Sequence, residues 1–114
     1  MPLDARVYLH DIRKACEAIQ SFIVGKSYDD YKTDLLLRSA VERQLGIIGE
    51  ALNQASKSQI DLPTKITDFR QVVDFRNLLI HAYTKVSAPM VWGMLEKDLP
   101  ILRQEVEKLL ADLE

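Results

Sequence analysis

Asp68-Phe69-Arg70-Gln71-Val72-Val73-Asp74-Phe75-Arg76-Asn77-Leu78-Leu79-Ile80-His81-Ala82-Tyr83 reads as a helix with a charge set into its apolar face. At about 100° per residue, Phe69, Val72, Val73, Phe75, Leu79 and Ile80 fall within roughly −100° to +60° of Arg76. An unpaired charge in a protein core is very costly. Arg76 must therefore pair with a carboxylate from another helix, snorkel at a helix edge, or face a cleft that accepts an anion. Glu50 is the first choice of partner. Tyr83, seven residues on, projects about 20° from Arg76, whereas His81 projects about 140° away, beside Asp74 and Arg70. Arg76 and His81 can share one site only if the helix ends or tightens near Ile80, or if a second subunit brings its own copies.

Outward from this stretch the chain reads as helices with short connections. Residues 4–24 place Val7, Leu9, Ile12, Cys16, Ile19, Phe22 and Ile23 at helical spacing, with Asp4 as a cap and Gly25 as a stop. Ser27 with Asp30 three residues later forms a second cap over a short helix, with Tyr28 and Tyr31 packed at its base. A long helix follows from about Thr33 to Ser56, with Leu36, Leu37, Ala40, Val41, Ile47, Ile48, Ala51, Leu52 and Ala55 on one broad arc. Arg43 and Glu50 lie at the edge of that arc. Gly46 and Gly49 fall on the opposite side; each costs about 1 kcal/mol against alanine, so close approach of another helix or subunit is expected there. Lys57 to Lys65, with Pro63, reads as a loop, and Thr67 as the cap of the helix from Asp68 to about Ala82. Ser87 caps a last helix with Pro89 in its first turn, and Pro100 is expected to kink or break it. No stretch alternates like a strand. The expected fold is all-α, an antiparallel four- to five-helix bundle of one domain over residues 1–114.

The composition of these 114 residues, 47% hydrophobic and 28% charged, is that of a globular protein with its own core. The net charge of −2 provides no global basic field, so nucleic-acid binding requires a local patch or the pooled charges of two subunits. The single cysteine, Cys16, cannot form an internal disulfide and reads as a small buried hydrophobe. Asp4, Arg6, His10, Asp11, Arg13 and Lys14 interrupt any apolar signal core, and no apolar run approaches the ~20 residues of a membrane span. A cytoplasmic protein with no membrane partner is expected. His10 reads as a surface residue and Trp92 as core or interface. Arg38, Arg43, Lys57, Arg70 and Lys85 read mostly as solvated charges, a subset of which could contact phosphate.

Arg76-x4-His81-x-Tyr83 matches the Arg-x4-His-x-Tyr motif of the HepT-like proteins, a branch of the HEPN ribonuclease superfamily. Two flanking stretches strengthen the resemblance: Val41-Glu42-Arg43-Gln44-Leu45-Gly46-Ile47-Ile48-Gly49-Glu50-Ala51, and the run from Tyr83 through Val91-Trp92 to Leu99-Pro100-Ile101-Leu102. Asn77 after Arg76 is also usual in that family. The resemblance implies a symmetric homodimer with two Arg/His motifs lining one cleft. It also implies the toxin half of a toxin–antitoxin system, a metal-independent RNase acting on cellular RNA. The partner it implies is an MntA-type nucleotidyltransferase antitoxin that transfers AMP to the motif tyrosine, here Tyr83.

The residue types suit such chemistry without a cofactor, and no His/Cys/Asp set stands at metal-ligand spacing. Imidazole titrates closest to neutral pH, so His81 can take the ribose 2′-hydroxyl proton or give one to the leaving 5′-oxygen. Arg76 can hold the phosphate through two parallel hydrogen bonds. One motif histidine per chain leaves the second proton transfer to the other subunit's copy or to water. Asn77 and Glu50 are supporting candidates. A nucleotide on Tyr83 would obstruct RNA and neutralise Arg76. Two other readings stay open: a non-catalytic helical module that binds a nucleotide or presents substrate to a nucleotidyltransferase, and a plain oligomerisation bundle.

Overall fold

A computed structural model describes residues 4–114. Six α-helices follow in order: α1 (Ala5–Ile23), α2 (Tyr28–Thr33), α3 (Leu35–Ser58), α4 (Leu62–Lys65), α5 (Phe69–His81) and α6 (Ala88–Leu113), with a 3-10 turn (Tyr83–Lys85) between the last two. The long helices α1, α3, α5 and α6 form an all-α bundle, and there is no strand among the described residues. None of these helices is long and apolar enough to cross a membrane.

Local chemistry sets the boundaries. The Asp4 side chain accepts from Arg6 N at 2.8 Å to open α1, and Gly25, at φ +74°, lets the chain reverse after it. Ser27 and Asp30 form the reciprocal capping box over α2. The long helix starts two residues later than its periodicity suggests, because Asp34 rather than Thr33 caps it by accepting from Leu37 N. Leu36 lies outside the buried arc and is 80% exposed. The Lys57–Lys65 segment is not a plain loop. The helix α3 continues to Ser58, and Pro63 opens the single turn α4, which buries Leu62.

Two further expectations are corrected. Thr67 does not cap α5; its N–H and hydroxyl both donate to the Glu105 carboxylate of α6, and Asp68 takes the cap position without a side-chain bond. Pro100 does not break α6, which runs through it from Ala88 to Leu113. Pro100 is exposed, so water can reach the backbone group that its missing N–H leaves unbonded.

The core centres on α3, which packs against α1 on one side and α5 on the other, while α6 lies across α1 and α2. Leu9, Ile12, Cys16, Ile19, Val41, Ile48, Leu52, Val91 and Val106 are fully buried. Burial pushes the Cys16 thiol up to about 12, which keeps it a neutral packing group. Tyr31, also fully buried, and Tyr28 stack on Trp92, with ring centroids 5.5 and 6.4 Å away. His10 is half-exposed, its Nε2 2.6 Å from Glu114 Oε1.

Asp98 is the buried charged residue of this core, 5% exposed on α6 and accepting from Gln71 Nε2 at 3.3 Å. Burial, together with the Asp68 carboxyl beside it, raises its pKa to about 6. The folded chain therefore holds this proton where the unfolded chain, at an ordinary value near ~4, has released it. Stability should be unaffected by this group below pH ~4 and fall as the pH rises through about 6. At ~1.4 kcal/mol per unit, the loss is on the order of 2 kcal/mol. Urea denaturation of Asp98→Asn should show a more stable protein than wild type at pH 8, with the advantage gone at pH 4.

Candidate active site

The helices α3 and α5 meet closely where Gly49 faces Arg76. A Cβ on Gly49 would lie 2.3 Å from Arg76 Cβ and 3.1 Å from the Val72 carbonyl oxygen, so no side chain fits there. The close approach expected of the glycines is thus made by a helix of the same chain. At Gly46 the approach is looser, with Leu79 Cδ1 3.9 Å from the corresponding Cβ position.

Held at its base, Arg76 directs its guanidinium at Glu50, with Nη2 2.5 Å from Oε2. Its Nη1 donates to Asn77 Oδ1 at 2.8 Å, and Glu50 Oε1 accepts from Gln54 Nε2 at 2.9 Å. Gln54, Glu50, Arg76 and Asn77 thus form one chain of polar contacts, with an ion pair at its centre and a hydrogen bond at each end. The Arg76 side chain is 26% exposed and that of Glu50 42%, so solvent screens the ion pair. Such pairs contribute about 0–1 kcal/mol to stability; the effect here is to fix the direction of the guanidinium.

That direction is into a groove of about 640 Å³ between α1, α3 and α5. Arg43, Glu42, Glu50 and Arg76 line it together with Tyr8 and Asp11 of α1, over apolar Ile47, Leu79 and Ile80. Tyr83 lines it too. The last residue of α5 is His81, and Ala82, at φ −144° and ψ 51°, turns the chain into the 3-10 segment while its N–H still bonds to Leu78 O. Tyr83 leaves the helical spiral, yet it faces the same groove as Arg76 and is 59% exposed.

Within one chain the structure therefore brings together Arg76, Glu50 and Tyr83, with Asn77 touching Arg76 from the exposed side. It does not bring in His81, which is exposed at the helix end and does not line the groove. The residue that sequence reasoning passed over is Glu42, half-buried between Arg38 and Tyr83. Burial raises its pKa, opposed by the Arg38 charge and the Tyr83 hydroxyl. Its spacing held the signal, since Glu42, Gly46 and Glu50 follow one another at i, i+4, i+8. Among the described residues no group of three or more His, Cys, Asp or Glu side chains is gathered as a metal site.

Residues 12–109 match the family model described as Ribonuclease HepT-like. The chain belongs to the HepT-like ribonuclease family. It is 35% identical over 102 residues to a Thermococcus cleftensis protein named "Probable ribonuclease HepT", covering 90% of this chain and 92% of that one. It is 31% identical over 105 residues to a Caldanaerobacter subterraneus protein named "Putative RNase", covering 92% and 93%. It is also 30% identical over all 114 residues to a Methanocaldococcus jannaschii protein named "Gamma-glutamylcyclotransferase and putative RNase", and spans 51% of that longer chain. No solved structure matches it significantly.

The two glycines of α3 provide a test of this HepT-like groove. Alanine at either gains about 1 kcal/mol of helix propensity. At Gly49 the collision is with backbone and a Cβ, which cannot swing aside, and overpacking of that kind costs about 1–3 kcal/mol or more. Denaturant titration should find Gly49→Ala destabilised and Gly46→Ala neutral or stabilised.

Proposed function

We propose that this HepT-like protein is a metal-independent RNase, the toxin of a toxin–antitoxin pair, acting as a homodimer. Its groove receives the RNA backbone, with Arg76 as the phosphate ligand. Family membership supports the activity. The observation that carries the site is the partly exposed Arg76 guanidinium, fixed by Glu50 and Asn77 at the edge of a groove that Tyr83 also lines.

Arg76 hydrogen-bonds the scissile phosphate and stabilises the charge that grows on its oxygens. One His81 takes the proton from the 2′-hydroxyl as it attacks phosphorus, and the other subunit's copy or water gives one to the departing 5′-oxygen. The products are a 2′,3′-cyclic phosphate and a 5′-hydroxyl. Since His81 stands at the exposed end of α5, outside its own groove, a second subunit is needed to set an imidazole opposite an Arg76. Dimerisation also addresses charge. Asp11, Glu42 and Glu50 outnumber Arg43 and Arg76 in one groove, and a polyanion binds better where two subunits pool their cations.

Tyr83 is read as the control point. An AMP group on its hydroxyl, transferred by an MntA-type nucleotidyltransferase, would fill the groove end and place a negative charge near Arg76. The position of His81 also favours a second reading, in which the chain is a non-catalytic module presenting RNA or nucleotide to that partner; cleavage by the isolated protein separates the two.

Purified protein incubated with total RNA in EDTA should cleave it and leave cyclic-phosphate ends. Arg76→Ala and His81→Ala should each lower the rate by about 10²-fold or more, and wild-type rates in either would overturn the assignment. Tyr83→Phe should remain toxic in a growth assay when the nucleotidyltransferase is co-expressed, whereas wild type is neutralised.

A further inference from the structure

Beside the main groove, a second cavity of about 300 Å³ opens on the other side of Tyr83, lined by Leu35, Arg38, Ser39, Glu42, Thr84 and Val86 with Tyr83 itself. Ser39, Glu42 and Tyr83 border both cavities, so they form the wall between them. Two polar atoms here are buried without a hydrogen-bond partner, Arg38 Nε and Tyr31 Oη. Unpaired buried polar atoms are rare in folded proteins and call for an explanation. No step of RNA cleavage uses this cluster.

We propose that Glu42 accepts the phenolic proton of Tyr83 when that hydroxyl is nucleotidylated, and that Arg38 meets the incoming α-phosphate from the smaller cavity. This rests on the reading of Tyr83 as the modified residue. In the step, Tyr83 Oη attacks the α-phosphorus of ATP. The Oη–P bond forms, the bond from that phosphorus to the oxygen bridging to the β-phosphate breaks, and pyrophosphate leaves with the electron pair. The proton from Oη passes to the Glu42 carboxylate.

The surroundings suit both ends of the transfer. Before it, Glu42 must be a carboxylate, and the Arg38 charge and the Tyr83 hydroxyl favour that form. After it, a phosphodiester stands next to Glu42. A carboxylate would repel that phosphodiester; the acid that has just taken a proton does not, and burial stabilises the neutral form. The groups around Glu42 are Arg38 on its own helix, Tyr31 from α2 and Tyr83 from the 3-10 turn, and the groove it lines also holds Asp11 and Tyr8 of α1, Arg43 and Glu50 of α3 and Arg76 of α5. None is a histidine or lysine competing to take the phenolic proton.

The test is the initial rate of label transfer from α-³²P-ATP by an MntA-type nucleotidyltransferase to wild type, Tyr83→Phe, Glu42→Gln, Glu42→Asp and Arg38→Gln, over a range of pH, with melting curves to confirm folding. Wild type should be labelled and Tyr83→Phe not. Glu42→Gln should be about 10²-fold slower and lose the acid limb of the wild-type pH profile, Glu42→Asp should recover part of the rate, and Arg38→Gln should raise the apparent KM for ATP with the acid limb retained. Label on Tyr83→Phe, or none on wild type, overturns the Tyr83 reading and this inference with it. Labelled wild type with Glu42→Gln within twofold of it, and the same pH profile, overturns the role of Glu42 alone. Should Glu42→Gln fail to fold, an unshifted acid limb in Glu42→Asp overturns that role instead.

Discussion

The rest of the structure depends on the contact between Gly49 and Arg76. A glycine in mid-helix weakens α3 by about 1 kcal/mol, and here the missing Cβ is what permits α5 to lie against α3 at all. Once the helices are that close, the first carbons of Arg76 are locked in the interface and only the guanidinium is free to choose a direction. Glu50, the next residue of α3 after the glycine, stands where that guanidinium arrives. Backbone proximity and ion pairing are therefore one device: glycine at 49 brings the arginine in, and the carboxylate at 50 turns it along the groove. The screened pair adds little to stability, so its physical role lies in geometry.

The second constraint is the place where α5 stops. A helix continued past His81 would hold Tyr83 near the Arg76 direction and His81 on the far side. Ending the helix at His81 and tightening the next residues into a 3-10 turn keeps Tyr83 at the groove by another route and leaves His81 at an exposed terminus. The motif is thus split between two surfaces of one protomer. Arg76 and Tyr83 belong to the groove of their own chain, while His81 is displayed outward. On the proposed reading this division makes the second subunit a requirement of the chemistry.

Much of this was legible in the sequence for identifiable reasons. Period and capping residues mark α1, α2 and α6, because Asp4, Ser27, Asp30 and Ser87 act locally. The Glu50–Arg76 pair was legible because a charge on an apolar face must be answered and Glu50 lay at the edge of the facing arc. What escaped depends on tertiary context. Nothing near Thr67 in the chain announces that Glu105 will take its hydrogen bonds. Pro100 is tolerated because its side of α6 faces water, and Leu36 is exposed because nothing among the described residues covers the first turn of α3 on that side. Glu42 escaped because a glutamate four residues after an arginine reads as an ordinary surface pair; only the fold sets Tyr83 against it.

The acidic side chains of the groove then acquire a common logic. A site that had only to bind RNA would carry few carboxylates, since each opposes a phosphate. Three line this groove, and they occupy different positions in the scheme. Glu50 is neutralised by the arginine it aims. Glu42 has the Arg38 charge one turn back on its own helix to oppose its repulsion of an anion. Asp11, exposed on the α1 rim, has neither partner nor burial to offset it. Within the groove Arg43 and the paired Arg76 are the cations that oppose it, fewer than the three carboxylates. On the proposed reading, the requirement that an outward His81 imposes through geometry is one that Asp11 imposes through charge, and a second protomer would meet both.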